Sequence, residues 1–244
     1  MGNAPLYLRI ASEVEAEIRS GRLRAGEKID SERALAEKLG VSRMTARQAI
    51  QHLSQKGLLE TRSGQGTFVG QPRIEQRLET LAGFTEEMAR QGRQASSVVI
   101  SSETLSPDET CRLALGLGRA RRVHRLVRVR LVDETAVALE NTEIAADRAP
   151  GLLELANFGH ASLYQILRSE FGLIPTRAEQ SLTASIADGQ TARTLHTEVG
   201  APVLKLTRLT RDQNGKALEF VRSVYRGDFF VMKINLSIGA ANPS

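Results

Sequence analysis

One predicted helix face carries side chains that can read the edges of base pairs. Arg47 and Gln48 lie on the polar side of the segment that starts at Ser42, and Arg43 flanks that side in the first turn. In the major groove of DNA, arginine bonds bidentately to guanine and glutamine to adenine, whereas serine and threonine reach phosphates or base edges. These residue types predict contact with duplex DNA.

The local charge favours an anionic partner. Between Val41 and Gly66 only Glu60 is acidic, and the basic residues are Arg43, Arg47, Lys56 and Arg62. Binding that neutralises phosphates requires such an excess of positive charge. The alternative is a solvated amphipathic helix with ordinary surface charges.

Two predicted helices and a tight turn position these side chains. Ser31 and Ser42 are N-cap residues by type, and Gly40 suits the left-handed residue that ends the first helix. The turn is too short for anything but a steep crossing, which predicts a helix-turn-helix. The apolar positions of the second helix, expected to face inward, are Ala46, Ala49, Ile50 and Leu53.

A glycine-rich hairpin is predicted next. Residues 58–62 and 67–69 form its strands, and Ser63-Gly64-Gln65-Gly66 form its turn. Because Gly66 has no side chain, the tip can approach a sugar-phosphate backbone closely. The pattern predicts the wing of a winged helix, and a simple hairpin turn is the alternative.

These stretches resemble the N-terminal domain of GntR-family bacterial transcription regulators. The similarity covers about the first seventy residues and includes Ser31-Glu32-Arg33-x-Leu35-Ala36, Leu39-Gly40-Val41-Ser42-Arg43-x-Thr45-x-Arg47 and Gly64-x-Gly66-Thr67-Phe68-Val69. One departure is Asp30, where the family usually has proline. The resemblance and the helix face together predict a DNA-binding set of Arg33, Ser42, Arg43, Thr45, Arg47, Gln48, Gly64, Gln65 and Gly66.

Length, charge and cysteine content limit the class of protein that this chain can be. A chain of 244 residues suffices for two domains, and a net charge of +5 favours an anionic partner. Cys111 is the only cysteine, which excludes an intramolecular disulfide and a thiolate zinc cluster. The sequence contains no run of about 18 apolar residues, so it predicts no membrane-spanning helix. We expect a soluble cytoplasmic protein.

The second part of the chain predicts an α+β domain with an internal repeat. Arg125-Leu126-Val127-Arg128 and Ala138-Leu139-Glu140 correspond to Lys205-Leu206-Thr207-Arg208 and Ala217-Leu218-Glu219. Each half reads as strand, helix, strand, strand, which predicts a mixed, largely antiparallel sheet covered by helices. The first helix of the repeat is expected to be capped by Ser106, and a last strand is expected at residues 229–236.

This part resembles UTRA, the effector-sensing domain of the HutC subfamily, whose fold is related to chorismate lyase. The similar stretches include Gly83-Phe84-Thr85-Glu86-Glu87-Met88, Ser162-Leu163-Tyr164 and Val221-Arg222-Ser223-x-Tyr225-Arg226-Gly227-Asp228. One departure is Phe229-Phe230, where the subfamily more often has a polar or basic residue. We predict a DNA-binding domain at 1–70, a linker at 71–77 and an effector-binding and dimerisation domain at 78–238.

Two arginines on one strand suggest an anion site in the second domain. Alternation places Arg128 and Arg130 on the same face, where they repel unless an anion or a carboxylate such as Glu140 lies between them. The resemblance implies an effector pocket here. The predicted lining is Arg128, Arg130, Glu140, Ser162, Tyr164, Glu219, Ser223 and Tyr225. The expected ligand is a small anionic metabolite such as a phosphorylated sugar or a carboxylate, and surface salt bridges are the alternative.

An enzyme and an architectural DNA-compacting protein are the rival classes. The four histidines show no metal-ligand spacing, and no nucleophile elbow, P-loop or dinucleotide fingerprint occurs. DNA compaction would call for stronger basicity and intercalating wedges. We expect no catalytic residues, metal or cofactor. The predicted function is sequence-specific transcription regulation, as a repressor with activation as the alternative, by a homodimer on an inverted repeat.

Overall fold

The computed structural model describes residues 5–62, 64–70, 73–77 and 79–235. The chain separates into two compact units, Met1–Ile74 and Glu75–Ser244. The first unit contains α1 (Leu6–Arg19), α2 (Glu32–Leu39), α3 (Arg43–Gln55), β1 (Leu59–Arg62) and β2 (Gly66–Val69). β1 and β2 pair as an antiparallel hairpin. The predicted helix-turn-helix with a wing is confirmed.

Side-chain caps and one left-handed glycine define the helix-turn-helix. The Ser31 Oγ accepts from the Ala34 N–H at 3.2 Å, and the Ser42 Oγ accepts from the Thr45 N–H at 3.1 Å. Gly40 ends α2 with a φ of 64°, a conformation that disfavours any residue with a Cβ. The chain therefore reverses within two residues, and α3 starts at a fixed angle to α2.

Small residues on the inner face of α3 allow close packing. The four positions expected to face inward are buried, and they share one core with residues of α1, α2 and the hairpin. The buried residues of this core are Ile10, Ala11, Leu35, Ala36, Ala46, Ala49, Ile50, Leu53, Leu59 and Val69. Burying one face of α3 leaves its other face exposed.

The second unit is built on a six-stranded sheet with the order β4-β5-β6-β9-β8-β7, antiparallel throughout. Its elements confirm the predicted α+β class. They are β3 (Ile74–Arg77), α4 (Phe84–Arg90), β4 (Ala95–Leu105), α5 (Glu109–Ala114), β5 (Val123–Val132), β6 (Thr135–Ala145), α6 (Leu163–Phe171), β7 (Pro175–Ile186), α7 (Gly189–Leu195), β8 (Pro202–Asp212), β9 (Ala217–Arg226) and β10 (Phe230–Lys233).

The strand order reproduces the internal repeat. The unit β4-α5-β5-β6 forms one half of the sheet and β7-α7-β8-β9 forms the other, with β6 and β9 paired at the centre. α6 packs Leu163, Tyr164 and Leu167 against apolar residues of this sheet. The predicted strand-helix-strand-strand unit therefore occurs twice, and its two hairpins meet under α6.

Three local expectations differ from the structure. α5 is capped by Asp108 rather than Ser106, because the Asp108 carboxylate accepts from the Cys111 N–H at 2.8 Å and from Arg222 at 2.7 Å. The last strand is short and pairs with β3 instead of extending the main sheet. β3 itself lies in the segment predicted as a linker. Residues 236–244, where the last strand was expected to end, lie outside the described residues.

No helix in the described ranges is both long and apolar enough to cross a membrane. Within the same ranges, no group of three histidine, cysteine or acidic residues is arranged to hold a metal ion.

Truncating the buried side chain of Leu53 tests how much core packing stabilises α3. Leu53 is 1% exposed, so Leu53→Ala should lower the free energy of unfolding of the N-terminal unit by about 3 kcal/mol, as buried leucine truncations do. Met44→Ala on the same helix removes a side chain that is 60% exposed and should cost less than about 0.5 kcal/mol. Urea unfolding followed by circular dichroism measures both, and equal losses would contradict this packing.

Candidate DNA-binding surface and effector pocket

The outer face of α3 presents the predicted base-reading side chains to solvent. Arg43, Arg47 and Gln48 are exposed. The Arg43 Nε lies 3.6 Å from one carboxylate oxygen of Glu32, and the Arg47 Nε lies 3.9 Å from the other. Glu32, which was not in the predicted set, therefore draws the two arginines toward the start of α2. Exposed ion pairs of this kind are weak, so the arginines can exchange this partner for DNA.

The other predicted DNA-binding residues in α2 and α3 are Arg33, Ser42 and Thr45, and two of them also stabilise the turn. The Ser42 and Thr45 hydroxyls lie 2.8 Å apart, and Ser42 also caps α3. Arg33 is exposed at the start of α2, with its Nε 3.9 Å from Glu37. The hydroxyl pair fixes the first turn of α3, which is the part that enters a groove in helix-turn-helix proteins.

The hairpin tip exposes Gly64 and Gln65, whereas Gly66 is half-buried. Gly66 has a φ of 117°, which a residue with a Cβ rarely adopts. The Arg62 guanidinium lies over the Phe68 ring at 4.6 Å, and the Lys28 amine approaches the same ring at 6.0 Å. Two cations thus accompany the glycine tip, and neither was in the predicted set. Ser63 lies outside the described residues.

The second unit encloses a polar cavity between α4, α6 and the sheet. Six of the eight predicted pocket residues line it: Arg128, Arg130, Glu140, Ser162, Tyr164 and Glu219. Tyr225 lines an adjoining cavity, which shares Phe84, Glu140 and Arg208 with the first. Ser223 lines neither, although it lies opposite Glu140 in the β6–β9 register. The first cavity has about 20 Å³ of free space, which suits about one water molecule.

Arg128 and Glu140 form a buried ion pair at the centre of the cavity wall. They are direct partners in the β5–β6 register, and the Arg128 Nη2 donates to the Glu140 Oε1 at 2.5 Å. Arg130 lies 4.0 Å from the same oxygen and stacks on the Phe84 ring at 4.3 Å. Both arginines are 3% exposed, so the salt bridge with Glu140 that the alternative expected is present, but it is buried and not at the surface.

Burial and neighbouring charges shift the pKa values of Glu140 and Arg130. Burial alone would raise the pKa of Glu140, but the positive charges of Arg128 and Arg130 outweigh it and hold this pKa at about 2. Burial, together with repulsion from Arg128, lowers the pKa of Arg130 to about 10. Glu140 and Arg130 are therefore both ionised near neutral pH, and two arginines face one glutamate.

Several guanidinium donors in this cluster have no acceptor. The Nε and Nη1 atoms of Arg128 and the Nε of Arg130 are buried without a hydrogen-bond partner. Buried polar groups are nearly always paired, and an unpaired charged donor is costly. A planar anion such as a carboxylate, or a phosphate, offers the matching acceptors.

A second ion pair, between half-buried Arg208 and buried Glu219, stands beside the first. The Arg208 Nη2 lies 3.4 Å from the Glu219 Oε1, which also accepts from the Tyr164 hydroxyl at 2.5 Å and from Thr210 at 2.9 Å. Burial and the Glu219 charge raise the pKa of Tyr164, so its hydroxyl remains a donor. Arg208 was missed as a pocket residue, yet the repeat aligns it with Arg128 and would have found it.

α6 begins at the mouth of this cavity. The N-cap Ser162 accepts from the Gln165 N–H at 3.2 Å and donates to the Glu86 Oε1 at 2.7 Å. Thr85, from the first turn of α4, lies 3.4 Å from the Arg130 Nη2. Glu86 and Thr85 were not in the predicted set, although they lie in the Gly83–Met88 stretch that carries the UTRA resemblance.

Cys111 and His124 do not form a nucleophilic pair. Cys111 is buried in α5, and burial together with the Glu143 charge raises the pKa of its thiol to about 12. The two His124 nitrogens lie 2.8 Å from the Thr104 hydroxyl and 3.0 Å from the Ala149 carbonyl. A protonated thiol and a histidine held by other partners have a structural role.

Comparison with known proteins agrees with both halves of this geometry. The family model "Bacterial regulatory proteins, gntR family" matches residues 6–69, and the model "UTRA domain" matches residues 90–231. The HTH-type transcriptional repressor NagR of Bacillus subtilis (strain 168) is 38% identical over 224 residues, which are 92% of this chain and 91% of NagR. This chain belongs to the GntR family.

As a GntR-family protein with a UTRA domain, the chain is a transcription regulator and not an enzyme, as expected. The crystal structure of PhnF from Mycobacterium smegmatis matches it with a TM-score of 0.76 at 32% identity, covering 93% of this chain and 99% of PhnF. The relatives that carry these matches are repressors by name. This GntR-family regulator therefore combines a winged helix with an effector domain.

The buried charges predict an acid-sensitive effector domain. Because the pKa of Glu140 is lowered when the protein folds, its ionisation stabilises the fold above the unfolded-state pKa of about 4.3, and this contribution is lost as the pH falls toward about 2. Glu140→Gln should lower the free energy of unfolding at pH 7 by about 3 kcal/mol and flatten its decline below pH 4. Urea unfolding at several pH values measures this.

The exposed residue Glu198 supplies the matched control. Glu198→Gln removes the same charge outside the cavity and should leave both the stability at pH 7 and its acid dependence within about 0.5 kcal/mol of wild type. A Glu140→Gln protein with the wild-type pH dependence would show that Glu140 carries no depressed pKa.

Proposed function

We propose that this GntR-family regulator is a sequence-specific repressor of the HutC type, whose operator affinity changes when a small anionic metabolite binds its UTRA domain. The observation that carries the proposal is the set of unpaired guanidinium donors on buried Arg128 and Arg130. These donors make the cavity selective for an anion, and the exposed face of α3 supplies the DNA-reading surface.

The DNA-binding half of the proposal rests on exposure and charge. Arg43, Arg47 and Gln48 project from one helix, and the glycine tip with Arg62 follows in the wing. One recognition helix contacts only a few base pairs, so specific binding calls for two copies on an inverted repeat. We infer a homodimer on a near-palindromic operator, acting in the cytoplasm where the genome is.

The effector half rests on the chemistry of the cavity. Arg128 and Arg130 present donors suited to a phosphate or a carboxylate, while Glu140, Glu219 and Tyr164 offer partners for hydroxyl groups. A phosphorylated sugar or a carboxylate combines these groups. No metal or other cofactor is needed for this binding.

Effector and operator are coupled only through differential affinity. An effector weakens operator binding if it binds better to the conformation that cannot bind DNA. DNA then weakens effector binding by the same factor. Such couplings are typically about 1–3 kcal/mol. We place the transmitting movement in residues 70–77, around the division between the two units; residues 71 and 72 of this segment lie outside the described residues.

Replacing Arg47 tests the DNA surface. Arg47→Ala should weaken operator binding by about 1–3 kcal/mol and relax the preference at one base pair per half-site, because one bidentate base contact is lost. Fluorescence anisotropy with operator variants measures both effects. Arg9→Ala, an exposed arginine of α1, controls for the lost charge. If Arg47→Ala loses as much affinity for random DNA as for the operator, Arg47 contacts only phosphate. A footprint that covers the DNA uniformly would favour an architectural protein.

A thermal-shift screen of phosphorylated sugars and carboxylates tests the effector site. Ligands that raise the melting temperature of the wild-type protein should lose that effect with Arg128→Ala, because half of the anion site is gone. The double variant Arg128→Ala/Glu140→Ala avoids an unpaired buried carboxylate and should lose the effect as well. Arg119→Ala, at an exposed position, should keep it. Hits that stabilise all four proteins equally would place the ligand elsewhere.

A further inference from the structure

One carboxylate in the cavity is bound differently from the others. The Glu86 Oε1 accepts from Ser162 at 2.7 Å and from Arg168 at 3.1 Å, but the Glu86 Oε2 is buried without any partner. A buried oxygen without a donor is unfavourable. Glu86 is thus only half satisfied at the mouth of the cavity.

The chain makes room for this carboxylate with a glycine. A Cβ placed on Gly83 would lie 2.1 Å from the Glu86 Oε2, so any other residue at this position would push the carboxylate away. Gly83 has a φ of −70°, which any residue adopts. The glycine therefore leaves open the space that the Glu86 carboxylate fills, next to the first turns of α4 and α6.

Charge balance shows what an incoming anion must do. Three arginines and three glutamates line the cavity, so it is neutral as it stands: Arg128, Arg130, Arg208, Glu86, Glu140 and Glu219. A bound anion would leave an excess negative charge in a space of about 20 Å³. The departure of one carboxylate would restore the charge balance and make room for the anion.

The three carboxylates differ in how firmly they are held. Glu140 is bound to Arg128 at 2.5 Å, and Glu219 accepts from Tyr164 at 2.5 Å and from Thr210 at 2.9 Å. Both belong to central strands of the sheet. Glu86 belongs to α4, its side chain is 27% exposed, and its partner Arg168 is 44% exposed. Glu86 is the carboxylate that can move to water at the lowest cost.

We propose that Glu86 is a tethered competitor that occupies the anion position until the effector displaces it. The effector's anion takes over the Ser162 hydroxyl from Glu86 and also accepts from the unpaired donors of Arg128 and Arg130, and the Glu86 side chain turns outward. Because Glu86 lies in the first turn of α4, its release removes the contacts that join α4 to Ser162 and Arg168. The apparent effector affinity equals the intrinsic affinity multiplied by the fraction of molecules in which Glu86 has left the site. This proposal rests on the proposed effector function.

Titration of the full-length protein with inorganic phosphate at constant ionic strength tests it. Glu86→Gln keeps an oxygen acceptor for Ser162 but removes the negative charge, so the Kd for phosphate should fall about tenfold relative to wild type. Glu86→Ala should also bind more tightly than wild type. Glu170→Gln, an exposed position on α6, removes the same net charge and should leave the Kd within about twofold. Circular dichroism verifies that each variant is folded.

The possible outcomes separate this inference from the proposed function. Phosphate binding that is equal in wild type and Glu86→Gln overturns the competitor but keeps the anion site. Weaker binding by Glu86→Gln also overturns it, because Glu86 would then be a direct partner of the ligand. Binding that appears only when Glu86 is replaced supports the competitor. No binding by any variant overturns both the competitor and the proposed anion site.

Discussion

Buried charge in the middle of a sheet is the constraint on which the effector domain depends. Arg128 and Glu140 face each other across β5 and β6, where each charge alone would be strongly unfavourable. A slip of either strand by one residue would turn its charged side chain to the opposite face of the sheet and break the pair. The pocket therefore forms only if β5 and β6 pair in this register. The turn at Asp133 and Glu134, both with positive φ, sets that register.

The internal repeat brings two versions of this arrangement to one place. In the second half, the Glu219 Oε1 accepts from Tyr164, Thr210 and Arg208. In the first half, the Glu140 Oε1 accepts from Arg128. Both halves keep buried guanidinium donors without acceptors, two on Arg128 and one on Arg208. α6 adds Tyr164 to the second pair and Ser162 to the mouth of the cavity.

Local interactions dominate the DNA-binding unit instead. The Ser31 and Ser42 caps and the left-handed Gly40 set the turn, and alanines at positions 46 and 49 let the helices approach closely. Because these effects act between residues near in sequence, they fix the angle at which α3 leaves the turn, and packing against α1 holds its inner face. Burial of its inner face then leaves the arginines exposed, with Glu32 as their exchangeable partner.

What the sequence alone determined follows the same division. It identified the caps, the turn, the wing and the inward face of α3, because each depends on residue type and short spacing. It also placed Arg128, Arg130 and Glu140 together, because strand alternation and hairpin pairing are short-range rules. It failed at Ser106, since the helix start is decided by Asp108 and its distant partner Arg222. Only the tertiary structure brought Glu86, Ser162 and Arg208 to one cavity, left Ser223 outside its lining and paired β3 with β10. These contacts join elements far apart in the chain, and their geometry depends on how the whole sheet packs rather than on any local preference.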